Sequence, residues 1–439
     1  MKKLGNNLNT INDNNQNEES QHNYLGSNID NYKYWQYNTI LLYNVIMIYT
    51  CEWPSLFIEW LPKVYKLVFL KIKFKVSNDE EYAYQDLILG TYTTEKNNYI
   101  LILEVTLPSE EFSYSSFYYE KINDYRHNFC NDTSKNFRIK NKIYHESEIN
   151  KISCYPENAD IVACFCSDGN INIFNINDYY NKDDEDEIKN DNILTFDKTL
   201  KGHLYQGWGL EWDDKNNYIS SCGDDSYLCI WDMNTSDKIM HPIVKYFNHN
   251  IPLQDCCWND NNVLSVSENG HINIYDIRNK TVVNSICATN CTLNSIDVNP
   301  HNKNIFATAG TNKEIDLWDM RFTNKSLHRI ISQKETIIKL KWDKFQPGIL
   351  SSSTSDKFIY FFDTNKIGIE QTYEDSQDGP PELIFIHGGH SSNILDYSLN
   401  NSYSMMISSI SEDNTLHIWQ PSKQAYEDAS DTYDDTEVE

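Results

Sequence analysis

Positive charge is scarce in this sequence. Its 439 residues include 37 Lys and Arg against 64 Asp and Glu, which gives a formal net charge of −27 and an isoelectric point near 4.7. Such a surface repels phosphate backbones, so direct binding of DNA or RNA over a broad face is excluded. Basic partners are favoured instead.

A secretory signal and a membrane-spanning run are also missing. Residues 1–31 are rich in Asn, Gln, Asp and Glu and contain no signal peptide. The charge-free stretch 34–51 includes polar residues and ends at Glu52 before ~20 apolar residues accumulate. We therefore expect a soluble protein that binds no membrane. The eleven cysteines form no C-x-x-C pair, which predicts buried, reduced thiols of an intracellular protein.

Motifs of the common catalytic and cofactor sites do not occur. The chain has no G-x-S-x-G elbow, no phosphate-binding G-x-x-x-x-G-K-[ST] loop and no H-E-x-x-H zinc helix. His387 and His390 have a ligand-like spacing, but they flank two glycines and no third ligand is in view. The sequence therefore predicts no enzyme, no cofactor and no metal site.

Short strand-like segments repeat from Pro54 to Trp419. In six of them a turn residue stands six positions before an aromatic residue that ends the segment. The six pairs are Asp168 and Phe174, Asp225 and Trp231, Asn269 and Tyr275, Asn312 and Trp318, Asp356 and Phe362, and Asp413 and Trp419. A period of ~40–45 residues with Gly-His early and Trp-Asp late is typical of WD repeats, in which each unit is one four-stranded propeller blade.

The remaining segments complete an all-β, seven-bladed WD-repeat propeller with an N-terminal α-helix packed on its side. The run 99–105 predicts the seventh blade, and the strand 53–61 is expected to close the ring. Apolar residues at helical spacing predict a helix over 28–49. We expect one domain over 28–425, a disordered Asn-rich head over 1–27 and a disordered acidic tail over 426–439. The charge run 181–191 is interpreted as a solvated loop.

Two sets of polar residues resemble a catalytic triad. They share nearly the same offsets and are His203, Ser221, Asp225 and Trp231, and His390, Ser409, Asp413 and Trp419. A catalytic set is not normally repeated blade by blade. We therefore interpret both sets as hydrogen-bond chains that satisfy buried polar groups.

The insertion 366–386 combines clustered carboxylates, a rigid Gly-Pro-Pro and an apolar run over 383–386. Prolines lower the entropy that a loop loses on binding, and carboxylates accept arginine in bidentate fashion. With the N-terminal helix, the insertion predicts a groove for a basic amphipathic helix. A merely solvated insertion is the alternative.

Several longer motifs resemble one known family. They are EWPS at 52–55, WLP at 60–62, KIGIEQ at 366–371, DGPPEL at 378–383 and FIHGGH at 385–390. They look like the retinoblastoma-binding WD-repeat histone chaperones, the MSI-type small subunits of chromatin assembly factor. The resemblance covers about 32–419 and implies a nuclear, non-catalytic scaffold of chromatin assembly, deacetylase or remodelling complexes.

The resemblance also implies two binding surfaces. The first is a groove for the first helix of histone H4, and its matching positions are Leu41, Leu42, Val45, Glu374, Asp375, Asp378, Gly379, Leu383 and Ile386. The second, for the histone H3 tail or similar basic peptides of partner subunits, matches Glu52, Trp53, Glu148, Asn150, Glu268, Glu412 and Asn414 on the channel end. This chain departs from the family pattern there. Acidic positions of the family are Gln206, Gln254 and Thr336 in this chain, an aromatic position is Ile338, and a basic one is Lys151.

A different class of function is left open by one tetrapeptide. WDMR at 318–321 resembles the adaptor-binding WD-x-R box of WD-repeat substrate receptors of cullin-type ubiquitin ligases. The tetrapeptide is short and also follows from ordinary blade-end chemistry.

Overall fold

Seven small sheets arranged in a ring make up the fold. The computed structural model describes residues 32–36, 38–39, 41–66, 82–93, 97–108, 136–180, 196–213, 215–248 and 250–426. The predicted head, the charge run 181–191 and all of the predicted tail except Tyr426 lie outside the described residues.

The first four blades each contain four main strands. Blade one contains β2 (Ile58–Lys66), β3 (Tyr82–Gly90), β4 (Asn98–Pro108) and β5 (Phe137–His145). Blade two contains β6 (Ile149–Cys154), β7 (Ile161–Cys166), β8 (Asn170–Asn175) and β9 (Lys198–Lys201), joined by the two-residue β13 (Ile239–Met240). Blade three contains β10 (Gly207–Trp212), β11 (Tyr218–Gly223), β12 (Tyr227–Asp232) and β14 (Val244–Phe247). Blade four contains β15 (Leu253–Asn259), β16 (Asn262–Ser267), β17 (His271–Asp276) and β18 (Thr281–Cys287).

The last three blades follow the same plan. Blade five contains β19 (Leu293–Val298), β20 (Ile305–Gly310), β21 (Ile315–Asp319) and β22 (His328–Ile330). Blade six contains β23 (Ile337–Trp342), β24 (Ile349–Thr354), β25 (Ile359–Asp363) and β26 (Leu383–His387). Blade seven contains β27 (Ile394–Leu399), β28 (Ile407–Ser411), β29 (Thr415–Pro421) and β1 (Tyr43–Thr50).

The first strand of each blade contacts the first strand of the next, so these strands form the inner wall of the ring. The contacts run from β2 through β6, β10, β15, β19, β23 and β27 and return to β2. Blades pack face to face, and a middle strand such as β24 is buried at all six residues. The predicted seven-bladed WD-repeat propeller is therefore confirmed.

The strand that closes the ring differs from the predicted one. β1 pairs antiparallel with β29, from Val45 opposite Gln420 to Thr50 opposite Thr415. The predicted helix over 28–49 is wrong from residue 43 onward, and the segment near 53–61 starts blade one instead of closing the ring. Tyr43, Val45 and Met47 are 6%, 2% and 0% exposed and fit the two-residue period of a strand. The free edge of β29 supplies the backbone partners that decide the conformation.

Helical structure is sparse among the described residues. Residues 32–36, 38–39 and 41–42 are helical, and two four-residue helices span Asn177–Tyr180 and Lys423–Tyr426. Two 3₁₀ turns lie at Thr364–Lys366 and Asp375–Gln377. None of the described helices has the length and apolar character needed to cross a membrane.

Most of the cysteines that the structure describes are buried, as predicted. All ten described cysteines are free thiols, and eight of them are buried. Burial raises the pKa of the Cys51 thiol to about 12, which keeps it protonated at neutral pH. Cys287 and Cys291 are exposed.

Candidate functional site

One end of the propeller is marked by a hydrogen bond that every blade repeats. In each blade, a backbone N–H in the turn between the second and third strands donates to a carbonyl in the segment that precedes the first strand. The donor and acceptor pairs are Tyr92 and Pro54, Ser167 and Glu148, Asp224 and Gln206, Glu268 and Pro252, Thr311 and Thr292, Ser355 and Thr336, and Glu412 and Asn393, at 2.8–3.1 Å. We call this end, defined by these fourteen residues, the channel face.

The channel face brings together acidic residues that are far apart in sequence. Glu268 and Glu412 occupy equivalent donor positions and are exposed, whereas Glu148 occupies an acceptor position and is half-buried. Gln206 and Thr336 stand at the same position as Glu148 in their own blades. Blades three and six therefore have a neutral side chain at the position where blade two has a carboxylate.

The segment before blade one joins the same end. The Cys51 N–H donates to the Asn414 carbonyl at 2.8 Å, which places Glu52 and Trp53 beside the Glu412 turn. Asn150 is buried, and its amide approaches the Gln206 side chain at 3.5 Å. Glu52 is exposed and Trp53 is half-buried.

Asp224 is a further acid on the channel face that the sequence reasoning missed. Its carboxylate accepts hydrogen bonds from Gln206 Nε2 at 3.1 Å and from Trp208 Nε1 at 3.2 Å. It stands seven residues before Trp231, just as Glu268 and Glu412 stand seven residues before the aromatic residues of their blades. That seven-residue offset is the signal by which it could have been found.

Below the channel face, the inner strands enclose a central cavity of about 700 Å³. Lys339 Nζ lies 2.6 Å from Asp396 Oδ1, and Lys341 Nζ lies 3.1 Å from Asp297 Oδ1. Burial lowers the pKa of Lys339 to about 8, although Asp396 opposes the shift. Lys151 also lines this cavity, together with Ile338. A basic peptide on the channel face thus meets a wall of mixed charge below it.

The acidic loop of the predicted groove is ordered by its own polar groups. The Thr372 hydroxyl accepts from the Asp375 N–H at 3.1 Å and donates to the Asp375 carboxylate at 2.7 Å. Glu374, Asp375 and Asp378 are all exposed. Gly379 has φ +140°, which favours glycine, and a Cβ there would lie 2.8 Å from Leu383 Cδ2. Thr372 and Gly379 therefore fix the shape of an exposed acidic turn that leads into the apolar strand β26.

The helical segment approaches that strand from the other side. Leu42 and Ile384 both pack against the apolar cluster around Phe385. Leu41 is 61% exposed and Ile386 is 41% exposed, so both leave apolar surface uncovered.

Val45 is not placed as the predicted groove requires. It lies in β1 with 2% exposure, inside the core between blades seven and one. The reason is the pairing of β1 with β29, which turns Val45 away from the surface.

The two predicted hydrogen-bond chains are present in different forms. His203 Nδ1–H donates to Asp225 at 2.9 Å, and its Nε2 lies 2.7 Å from Ser221 Oγ. His390 Nε2 also lies 2.7 Å from a serine, Ser409. Asp413 instead binds the hydroxyls of Ser391, Ser411 and Thr415.

The WDMR tetrapeptide forms a local ion pair. Arg321 donates from Nη2 to Asp319 at 2.7 Å, and in the preceding blade Arg278 donates to Asp276 at 2.9 Å. Two neighbouring blades thus use the same contact at the end of the third strand.

Comparison with protein families gives two matches. Residues 30–109 match the family described as histone-binding protein RBBP4 or the corresponding subunit of the CAF1 complex. Residues 194–232 and 381–420 match the WD domain, G-beta repeat. The first match spans the helical segment, the closing strand β1 and the first three strands of blade one. The second covers parts of the two blades with a Gly-His and a Trp. Over these residues the chain is similar to the WD-repeat histone-binding proteins of that family.

Proposed function

We propose that this protein is a nuclear, non-catalytic histone-binding scaffold of chromatin assembly, deacetylase or remodelling complexes. The first helix of histone H4 lies between the helical segment and the loop 374–386. The observation that carries this proposal is an exposed acidic turn next to a strand, β26, whose apolar side chains are partly uncovered.

The chemistry of the groove suits a basic amphipathic helix. Covering a large apolar side chain such as Ile386 is worth ~1.5–3 kcal/mol when it leaves water completely. Arginines of the partner donate charge-assisted hydrogen bonds to Asp375 and Asp378, at ~1.5–3 kcal/mol each. Because Thr372 and Gly379 already hold the turn in shape, little ordering entropy is lost on binding.

Isothermal titration with a peptide of the first H4 helix tests the groove. Replacing Asp375 and Asp378 together by Lys should weaken binding by about a hundredfold or more, since two charge-assisted hydrogen bonds amount to ~3 kcal/mol or more. The matched control replaces Asp178 and Asp237, two exposed carboxylates on other blades, by Lys. Equal affinities of the two variants would contradict the groove, and unchanged thermal unfolding shows that both are folded.

The channel face is proposed to bind the histone H3 tail or a similar basic peptide of a partner subunit. Glu148, Asp224, Glu268 and Glu412 supply carboxylates around its rim, and clustered carboxylates raise the local concentration of basic ligands. Because Gln206, Gln254 and Thr336 are neutral, we expect modest affinity with steep salt dependence. Gln254 donates to Glu268 at 3.0 Å and engages part of its acceptor capacity.

Replacing Glu268 and Glu412 together by Lys tests the channel face. Binding of an H3 N-terminal peptide should fall at least tenfold and lose most of its salt dependence, because two attractive charges become repulsive. The Asp178 and Asp237 control should bind as the wild type does. Unchanged peptide binding by the Glu268→Lys, Glu412→Lys variant would show that the peptide binds elsewhere. A pull-down from nuclear extract should recover histones and chromatin factors, whereas a cullin adaptor would favour the ligase alternative.

A further inference from the structure

Three buried histidines meet where blades six and seven join. His387 ends β26, His390 lies in the loop before β27, and His417 lies in β29. They are 0%, 4% and 2% exposed. One ring nitrogen of each lies within 4.8 Å of the corresponding nitrogens of the other two. The spacing of residues along the chain does not reveal that His417 lies near the other two histidines, because only the strand pairing in blade seven brings them together.

Two nitrogens of this cluster lack an ordinary hydrogen bond. Within the described part of the chain, His387 Nε2 and His417 Nδ1 are buried and have no hydrogen-bond partner. Leaving a buried polar group unsatisfied is costly, so such groups are rare and call for a ligand. Two such nitrogens in one cluster indicate a single ligand, such as a metal ion, that accepts a lone pair from each of them.

The surroundings of His387 direct one lone pair into the cluster. Trp35 Nε1–H donates to the Tyr43 hydroxyl oxygen at 3.1 Å. That oxygen lies 2.8 Å from His387 Nδ1 and has a second lone pair with which to accept an Nδ1–H. His387 Nε2 then carries a lone pair. Metal-ligating histidines typically donate their other N–H to a neighbouring oxygen in this way.

The surroundings of His390 allow the same arrangement. Its Nε2 lies 2.7 Å from Ser409 Oγ, to which an Nε2–H can donate, while its Nδ1 lies 3.3 Å from Thr415 Oγ1. Thr415 gives its only hydroxyl proton to Asp413 at 2.5 Å. The threonine therefore has no proton for His390 Nδ1, and when Nε2–H donates to Ser409 the Nδ1 atom keeps its lone pair.

We propose that His387, His390 and His417 form a binding site for a divalent transition-metal ion of the zinc class. Three imidazole nitrogens suit Zn²⁺, which accepts varied geometry because its d shell is filled. The rings of His390 and His417 stack at 3.9 Å between centroids, so they tilt on binding to bring their lone pairs together. All three histidines are buried, which favours the neutral imidazole that a metal ion requires.

The position of the site gives the metal a structural role. Trp35 stacks over His417 with 6.3 Å between ring centroids, and a Cβ at Gly389 would lie 2.5 Å from the Trp35 ring. The ion would join the last strand of blade six to blade seven beneath the helical segment. It would thereby stabilise one wall of the proposed groove.

Metal titration of the full chain tests this inference. After dialysis against a chelator, the wild type should bind one Zn²⁺ per chain by isothermal titration and unfold at a higher temperature with Zn²⁺ present. His417→Gln should weaken Zn²⁺ binding at least tenfold and remove the thermal shift. His241→Gln, which changes an exposed histidine, is the matched control and should behave as the wild type does.

A second variant guards against loss of folding. Tyr43→Phe keeps the ring and removes only the hydroxyl beside His387, so it should weaken Zn²⁺ binding by ~10–100-fold. Far-UV circular dichroism and H4-peptide binding without metal report whether each variant is folded. If the wild type binds no Zn²⁺, or if His417→Gln and Tyr43→Phe both bind it as tightly as the wild type, the site does not exist.

Discussion

Blades three and seven carry the same polar residues at nearly the same offsets. Blade three has His203, Ser221, Asp225 and Trp231, and blade seven has His390, Ser409, Asp413 and Trp419. The bond between histidine and serine is 2.7 Å in both blades. The aspartates differ, because Asp225 accepts from its histidine at 2.9 Å whereas Asp413 accepts from three hydroxyls.

The residue two positions after the aspartate explains this difference. In blade three it is Tyr227, which offers the aspartate only its backbone N–H, at 3.2 Å. In blade seven it is Thr415, whose hydroxyl stands between Asp413 and His390. A shared sequence pattern thus fixes where polar groups stand, while a neighbouring hydroxyl decides which of them bond.

These different hydrogen bonds change the pKa values of the groups that make them. Burial raises the pKa of Asp225, but the hydrogen bond and charge of His203 and two backbone N–H groups outweigh it, so the net pKa is lowered. Among the described residues, no carboxylate bonds directly to His390, and burial lowers its pKa to about 4. Blade three therefore contains a paired histidine, and blade seven contains a neutral one beside two others.

The largest expected effect comes from breaking the pair of His203 and Asp225 in blade three. Asp225→Ala should lower the free energy of unfolding by ~3–5 kcal/mol, because it leaves a fully buried imidazole without its partner. Asp413→Ala should cost less, ~1–3 kcal/mol, since water reaches the exposed Ser391 and the half-buried Thr415 when the carboxylate is removed, and only the buried Ser411 loses its partner. Urea unfolding of both variants measures the difference, and equal losses would mean that the two blades work alike.

Double-mutant cycles sharpen the comparison with a smaller effect. The coupling energy between His203 and Asp225 should be ~1–3 kcal/mol, whereas that between His390 and Asp413 should stay below ~0.5 kcal/mol. The measurement uses His→Gln and Asp→Asn single and double variants in urea. A strong coupling in blade seven would show that Asp413 reaches the imidazole in solution.

The smallest expected effect concerns the serines. Ser409 receives a hydrogen bond from Trp419 Nε1 at 3.2 Å as well as bonding His390, whereas Trp231 Nε1 has no partner among the described residues. Ser409→Ala should therefore destabilise the chain by ~1 kcal/mol more than Ser221→Ala does. Thermal unfolding of the two variants checks this order, and the reverse order would exclude Ser409 as the shared partner.

The regular repeat made most of the fold predictable. Each of six blades is marked by a turn residue that stands six positions before an aromatic residue. The remaining blade, blade one, was predicted from its apolar run. The predicted helix failed from residue 43 because 41–49 has apolar residues at both helical and strand spacing. Val45 lies outside the predicted groove for the same reason.

The candidate surfaces were only partly accessible to sequence reasoning. Glu268 and Glu412 were found through family resemblance, yet Asp224 was missed although it occupies the same position in its blade. His417 was missed because 27 residues separate it from His390. Asp224 could have been found by its seven-residue offset from Trp231, whereas His417 belongs to no local motif, so only the packing of strands reveals its neighbours.

Local chemistry along the chain specified the repeat, the turns, the excess of negative charge and the ordered acidic loop, since each depends on residues near one another in sequence. Tertiary structure decided which strand closes the ring, which carboxylates share the channel face and which histidines meet. These outcomes depend on pairing between residues hundreds of positions apart, such as Tyr43 with His387. Their free energy exists only once the blades are packed, because burial removes the water that would otherwise satisfy each group.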